Sequence, residues 1–175
     1  MTGKEFMNLV AHGEADILQQ LLEILAKTAA EYCVIGGLAV NAYAEPVVSL
    51  DLDIIVTTDK VEQVAIAAEA MGMKRERFEH SLNLTNQKSD LRLQLHTDPR
   101  YQDFIARSTP REILGYPLRV AAVTDVLQGK VWAYLDKSRR KSKRQKDLAD
   151  IMRLVEANPA LESELPPTIR EQLNE

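Results

Sequence analysis

The sequence predicts an α/β domain built on a small, mixed, twisted sheet of about four or five strands flanked by helices. Short apolar runs that fit strands alternate with longer segments whose apolar residues recur every three or four positions. Glycine and proline residues separate many of these segments. The chain has 175 residues, 45% of them hydrophobic, which is enough for one substantial core. We therefore expect one main domain over residues 31–156, an N-terminal helical segment over residues 1–30, and a C-terminal tail over residues 157–175.

The first predicted elements are an amphipathic helix, a strand and a second helix. Between residues 6 and 30, apolar side chains recur at spacings of three and four, which is typical of a helix with one buried face. Residues 32–35 form a short apolar run that favours a buried strand, and residues 38–44 fit a helix. Gly36 and Gly37 lie between them, so the sequence predicts a tight strand-to-helix turn.

The next predicted strand carries two aspartates on one face. Pro46 ends the preceding helix, and residues 47–56 are rich in β-branched side chains and leucine. Because side chains alternate along a strand, Ser49, Asp51 and Asp53 share one face. The two carboxylates therefore point the same way.

The rest of the chain adds helices and three more predicted strands. The predicted helices cover residues 61–71, 100–113, 126–137 and 146–156, with a short one from residue 168 in the tail; the predicted strands cover residues 78–85, 91–97 and 118–123, the last at the sheet edge. In the strand over residues 91–97, the leucines face the core, and Gln94 and His96 lie on the polar face.

Asp51 and Asp53 are the candidate metal ligands. Their backbones are about 6 to 7 Å apart on a strand, so both side chains can reach one divalent cation. Mg²⁺ prefers hard oxygen ligands and keeps waters or substrate phosphates. The alternative to a metal site is a strand end exposed to water, where an aspartate costs little free energy. Gly36 and Gly37 favour the metal interpretation, because backbone N–H groups of a glycine turn before a helix can approach a phosphate.

The pattern Ile35-Gly36-Gly37 followed by Asp51-Leu52-Asp53-Ile54 resembles the polymerase-β-type nucleotidyltransferase superfamily. The stretches GGLAVNAYAEPVVSLDLD, TDPRYQDF and RQKDLADI are similar to small bacterial proteins related to the AbiEii and AbiGii toxins, over roughly residues 32–155. The resemblance implies a nucleotidyltransferase-like fold and transfer of a nucleoside monophosphate from an NTP to a hydroxyl acceptor. It further implies that Asp51 and Asp53 are catalytic and bind Mg²⁺ or Mn²⁺.

The same resemblance implies the nucleotide-binding residues and the partners. The residues that would bind nucleotide are Gly36, Gly37, Ser49, Lys130 and Lys146. The likeness also places Asp147 and Asp150 beside the active site. The alternative is that Asp147 favours the N-terminal turn of the last helix and that Asp150 faces solvent. For Lys130 the alternative is a solvated lysine. The candidate partners are an NTP, an RNA, protein or small-molecule acceptor, and an antitoxin.

The sequence departs from the superfamily at two positions. The strand position where the resemblance places a third carboxylate holds Gln94, and an amide cannot act as a general base. Val47 stands where many relatives carry an arginine. Two hypotheses follow: an active Mg²⁺-dependent nucleotidyltransferase, or a catalytically impaired nucleotide-binding protein of a toxin–antitoxin system.

Charge distribution supports a third hypothesis, an RNA-binding accessory domain. The net charge is -4, but residues 137–146 hold seven basic residues and no acidic one, which leaves 15 basic residues against 26 acidic ones elsewhere. Such a run is either a solvated surface or a contact for phosphates. The sequence contains no apolar run of membrane-spanning length, so we expect a cytoplasmic protein without a membrane partner. The single cysteine, Cys33, lies in an apolar run and is expected to be a buried core residue.

Overall fold

A computed structural model describes all residues from Met1 to Glu175. Seven strands form one mixed sheet in the order β3-β4-β5-β2-β1-β7-β6. The strands are β1 Tyr32–Ile35, β2 Asp51–Val56, β3 Lys74–Arg77, β4 Ser81–Asn86, β5 Ser89–His96, β6 Thr109–Ile113 and β7 Tyr116–Val120. The β2/β5 and β1/β7 pairs are parallel and the other pairs are antiparallel. The predicted mixed α/β class is therefore confirmed, with more strands than expected.

Eight α-helices flank this sheet. They are α1 Gly3–Val10, α2 Ile17–Thr28, α3 Gly36–Val40, α4 Val61–Ala70, α5 Phe104–Arg107, α6 Val123–Leu135, α7 Lys141–Ala157 and α8 Pro167–Leu173. Helix α2 packs against α4, while α6 packs against α3 and α7. None of the eight helices combines the length and the apolar content that a membrane crossing requires.

The two faces of β2 and β5 have opposite character. Leu52, Ile54, Leu93 and Leu95 are completely buried in a single hydrophobic core that also includes Cys33. The intervening residues project from the other face, where in-register pairing sets Asp51 beside Arg92 and Asp53 beside Gln94. This alternation, which the sequence predicted, gives the sheet one polar face.

Two predictions for residues 100–123 are wrong. A single helix over residues 100–113 does not form: α5 is one turn long, and Thr109–Ile113 is strand β6. Pro110 is incompatible with a helix interior, and Leu114 and Gly115 adopt positive φ angles of 52° and 80° that turn the chain into β7. Because β6 then pairs with β7, the latter lies inside the sheet and not at its edge.

Other element boundaries differ from the predictions. The helical pattern over residues 6–30 is two helices, α1 and α2, and β2 begins at Asp51 although the apolar pattern begins at residue 47. Strand β3 was missed because its sequence, KRER, is entirely charged and mostly exposed, so it carries no apolar signal. Helix α7 begins at Lys141, five residues before the predicted start, so part of the basic run is helical.

Candidate active site

Gly36 occupies the turn between β1 and α3 for a steric reason. Its φ angle is +71°, which L side chains rarely adopt, and an added Cβ would lie 2.9 Å from both Cβ and Cγ of Asp53. At Gly37 an added Cβ would be 3.8 Å from Ser49 Oγ and 3.9 Å from Asp150 Oδ2, which are ordinary contacts. Gly36 is therefore required for the close approach of the turn to Asp53, whereas Gly37 is not sterically required.

Asp51 and Asp53 lie two residues apart on β2 and each has basic neighbours. Asp51 accepts a hydrogen bond from Arg92 Nε at 2.7 Å and lies 3.4 Å from Lys143 Nζ. Asp53 Oδ1 is 2.8 Å from His96 Nε2. Burial alone would raise the pKa of Asp53, but the hydrogen bond with His96 and the charges of His96 and Lys130 outweigh it and lower that pKa. Asp53 is therefore held as a carboxylate.

The donor chemistry at these two residues fits a magnesium ion. Carboxylate oxygens are the hard donors that Mg²⁺ takes, and Asp53 Oδ2 makes no hydrogen bond within the protein. No group of three or more acidic, histidine or cysteine side chains is arranged to enclose a metal. Asp51 and Asp53 would thus hold the ion together with waters and substrate phosphate oxygens, as one or two carboxylates commonly do for Mg²⁺.

Lys130 on α6 is buried between two aspartates of α7. Its Nζ lies 3.1 Å from Asp147 Oδ1 and 2.7 Å from Asp150 Oδ2. Asp150 is only 4% exposed and Lys130 only 8%, so the alternatives of a solvent-facing Asp150 and a solvated Lys130 are wrong. Asp147 is buried and lies beyond the first turn of α7, which begins at Lys141, so its alternative is wrong as well. Burial would lower the pKa of Lys130, but Asp150 and Asp147 raise it, with a further contribution from Asp53. Lys130 is therefore a fixed cation.

These groups face one open cleft of about 960 Å³. The polar face of β2, β5 and β4 forms one wall, and α6 with the start of α7 forms the other. Asp51, Asp53 and Gly36 line the cleft together with Lys130, and Arg139 and Lys143 extend its basic wall. Arg139 is anchored to Asp147, with Nε 2.7 Å from Oδ2. The cleft thus sets carboxylates opposite cations.

The structure does not bring every predicted nucleotide-binding residue to this cleft. Lys146 is exposed and outside it, because it immediately precedes the buried Asp147 and so points elsewhere on the helix. Ser49 binds its own chain, with Oγ 3.1 Å from Asp51 O, and does not line the cleft. Lys143 was missed, although its position four residues before Asp147 puts both on one helical face.

Gln94 lies directly beside Asp53, at the place where the superfamily resemblance requires a carboxylate. The parallel register of β2 and β5 pairs Asp53 with Gln94, and the antiparallel register of β4 and β5 pairs Gln94 with Asn83. Asp51 has Arg92 as its neighbour in the same register. The row beside Asp53 therefore continues through two neutral amides, and Glu76 of β3 follows Asn83 in the same register.

No protein-family model matches the sequence, and no curated protein matches it. Solved structures do match over most of the chain. The solution structure of the antibiotic-resistance factor ANT(2'')-Ia has a TM-score of 0.62 at 13% identity and covers 90% of this chain and 89% of its own. The lincosamide antibiotic adenylyltransferase LnuA, bound to lincomycin, has a TM-score of 0.56 at 12% identity and covers 81% of this chain and 98% of its own.

A third solved structure agrees with the first two. An antigenic nucleotidyltransferase-like protein from Paracoccidioides brasiliensis has a TM-score of 0.51 at 14% identity and covers 96% of this chain and 92% of its own. At these identities the likeness shows the fold alone. The chain has a nucleotidyltransferase fold, as the sequence predicted, while the narrower likeness to AbiEii and AbiGii proteins stays a prediction.

Proposed function

We propose that the protein transfers a nucleoside monophosphate from an NTP to a hydroxyl group. The observation that carries this proposal is that Asp51 and Asp53, adjacent on one strand face, open into the same cleft as the cations Lys130, Arg139 and Lys143. A metal-bound triphosphate requires this combination of carboxylates and opposing positive charge.

The chain's own residues would mainly position the triphosphate. Lys130 and Arg139 are anchored by Asp147, so they can pair with phosphate oxygens without a large loss of side-chain freedom. Gly36 keeps the turn close to Asp53 and leaves backbone N–H groups near the phosphates. Mg²⁺ or Mn²⁺, held by Asp51 and Asp53, would neutralise charge that develops on the phosphates.

The proposed reaction is a substitution at the α-phosphorus. A bond forms between the acceptor oxygen and the α-phosphorus, the bond from that phosphorus to the β-phosphate oxygen breaks, and pyrophosphate leaves. Gln94 cannot take the acceptor's proton, which is released to solvent.

The test is incubation with each labelled NTP and Mg²⁺ or Mn²⁺, beside the Asp51→Asn and Asp53→Asn variants. We expect metal-dependent formation of labelled product and pyrophosphate that both variants abolish. Equal labelling by the variants would contradict the assignment of these carboxylates.

The second candidate function is nucleotide binding without transfer. The pairing of Gln94 with Asp53 favours it, since the expected base position is an amide. A role in a toxin–antitoxin system with an antitoxin partner belongs to this hypothesis. Stabilisation by Mg²⁺ and NTP, in the absence of any labelled product or pyrophosphate, would support it.

An RNA-binding role is the third candidate. The side chains of Lys137, Arg140, Lys141 and Lys146 are exposed and make no ion pair or hydrogen bond, so they are free to contact phosphates. Binding of this kind would weaken steeply with added salt and survive EDTA. Nucleotide binding at Asp51 and Asp53 would instead require the divalent ion.

A further inference from the structure

Two side-chain amides in the cleft have no partner in the protein. Asn83 on β4 and Gln94 on β5 are directly paired in register, so both project from the polar face. Neither amide makes a hydrogen bond, and Asn83 Oδ1 is buried without a partner. Buried polar atoms are almost always paired in folded proteins, and each amide offers donors as well as an acceptor. A ligand group is the natural partner for this pair.

The amides lie on the opposite side of the carboxylates from Lys130 and Asp150. The sheet order places β5 and β4 on one side of β2, and β1 with its glycine turn on the other. The cation network lies over that turn, because Asp150, which pairs with Lys130, approaches Gly37. An anionic triphosphate therefore belongs on the glycine side, and a neutral group belongs beside the amides.

Aromatic side chains also line the cleft. Tyr101 lies 5.7 Å from the His96 ring on β5, measured between ring centroids, and Trp132 is stacked between Phe104 and the Arg100 guanidinium. Phe78, which precedes β4, lines the cleft and is 50% exposed. Aromatic faces next to a few fixed polar groups suit a ligand that has both apolar faces and hydrogen-bonding edges.

The other acidic side chains on this cleft already have donors. Asp98 pairs with Arg100 at 2.9 Å, and Asp136 accepts hydrogen bonds from Ser138. The basic side chains on this side are paired as well, Arg100 with Asp98 and His96 with Asp53. Glu76, which is in register with Asn83, does not line the cleft. Both observations favour an uncharged ligand.

We propose that Asn83 and Gln94 form the acceptor subsite, and that the acceptor is a small neutral ring bearing several hydroxyl groups, such as a sugar or glycoside. The inference rests on the proposed function, because the metal-binding carboxylates define which hydroxyl is attacked. The amides hold neighbouring hydroxyls at the ring edge while the exposed ring of Phe78 covers its apolar face. In this arrangement Gln94 binds the acceptor in the place where relatives would carry a base.

The test is an NMR titration of ¹⁵N-labelled protein that requires no transfer. The side-chain amide signals of Asn83 and Gln94 are assigned with the Asn83→Ala and Gln94→Ala variants, whose backbone spectra also report whether they fold. Methyl α-D-glucopyranoside is the neutral probe, glucosamine its cationic counterpart, and oligoadenylate the RNA probe. Gln145→Ala, an exposed amide change outside the cleft, is the matched control.

We expect methyl α-D-glucopyranoside to shift both amide signals together with the Trp132 indole signal. Each alanine variant should bind it about fivefold more weakly, which corresponds to one neutral hydrogen bond of about 1 kcal/mol, and Gln145→Ala should bind as the wild type does. Absence of any shift with this probe would overturn the proposal, as would larger shifts with glucosamine or oligoadenylate than with the glucoside.

The same preparation separates the two proposals. Stabilisation of the protein by Mg²⁺ and ATP, if it depends on Asp51 and Asp53, tests the nucleotide site independently of Asn83 and Gln94. If that stabilisation is present and the glucoside leaves both amide signals unmoved, the acceptor proposal fails alone. If the glucoside moves them while no NTP binds or reacts, the nucleotidyltransferase proposal fails.

Discussion

Lys130 Nζ and Asp150 Oδ2 lie 2.7 Å apart in side chains that are only 10% and 6% exposed. Asp150 also binds Arg153 at 2.8 Å, and Arg153 donates to Asn41 Oδ1 at 3.0 Å. The Asn41 side-chain amide in turn donates a hydrogen bond to the Val47 carbonyl oxygen and accepts one from the Val47 N–H. The buried pair is therefore connected, through Arg153 and Asn41, to the segment that leads into β2.

Replacing Lys130 by methionine should destabilise the fold by about 3–5 kcal/mol, because Asp147 and Asp150 would then be buried with one less cation. Urea unfolding measures the change. Lys146→Met removes an exposed, unpaired lysine and should change stability by no more than about 0.5 kcal/mol. Equal effects of the two substitutions would show that the Lys130 pairs contribute little.

Replacing Gly36 by alanine should cost more stability than the same change at Gly72. Both residues have positive φ, at +71° and +88°, so both substitutions incur backbone strain of about 1–2 kcal/mol. Only at Gly36 does the added Cβ also meet Asp53, since nothing lies within 4 Å at Gly72. The difference in unfolding free energy between the two variants isolates this contact. A Gly36 variant as stable as the Gly72 variant would mean that Asp53 moves away freely.

Lys143 and Lys146 should differ in their effect on nucleotide binding, if the proposed site is correct. Lys143→Ala removes a cation that lines the cleft and should weaken binding of Mg²⁺·ATP about tenfold, or roughly 1.4 kcal/mol. Lys146→Ala should leave it unchanged, because that side chain points away. Isothermal titration calorimetry measures both. Equal losses would indicate that the basic run acts as a diffuse charge.

Cys33 should react with thiol reagents only after unfolding. The side chain is completely buried, and burial raises the pKa of Cys33 to about 12. Ordinary cysteine has a pKa of about 8.5, so the unfolded state loses its proton first and stability contributed by the neutral thiol falls as pH rises above that value. Labelling by iodoacetamide at pH 8, with and without urea, checks this. Rapid native labelling would show that β1 opens locally.

Much of the fold could be predicted from sequence because its apolar patterns are strong. The buried alternation at Leu52 and Ile54, and again at Leu93 and Leu95, defined the two central strands and the polar face between them. Strand β3 could not be found by this reasoning, since its residues are charged and its place depends on pairing with β4. Propensity alone likewise gave no sign that Thr109–Ile113 would pair with β7.

The candidate site was predictable where residues are close in sequence. Asp51 and Asp53 share strand β2, and Gly36 directly follows strand β1, so their grouping followed from local patterns. The sequence also placed Gln94 on the strand where the superfamily resemblance puts a third carboxylate. By contrast, the partners of Lys130 come from a different helix, and the pairing of Asn83 with Gln94 depends on strand register. Sequence spacing does not reveal which helix face meets which strand.

The contacts of Lys130 also have a consequence for folding while the chain is being synthesised. Lys130 is synthesised before Asp147 and Asp150, its two anchoring carboxylates. While the chain is still growing, a nascent α6 lacks these two carboxylates and gains less from docking Lys130 against the sheet. Lys130 therefore reaches its paired, buried state only after residue 150 has been synthesised, so shorter nascent chains should lack this fixed cation.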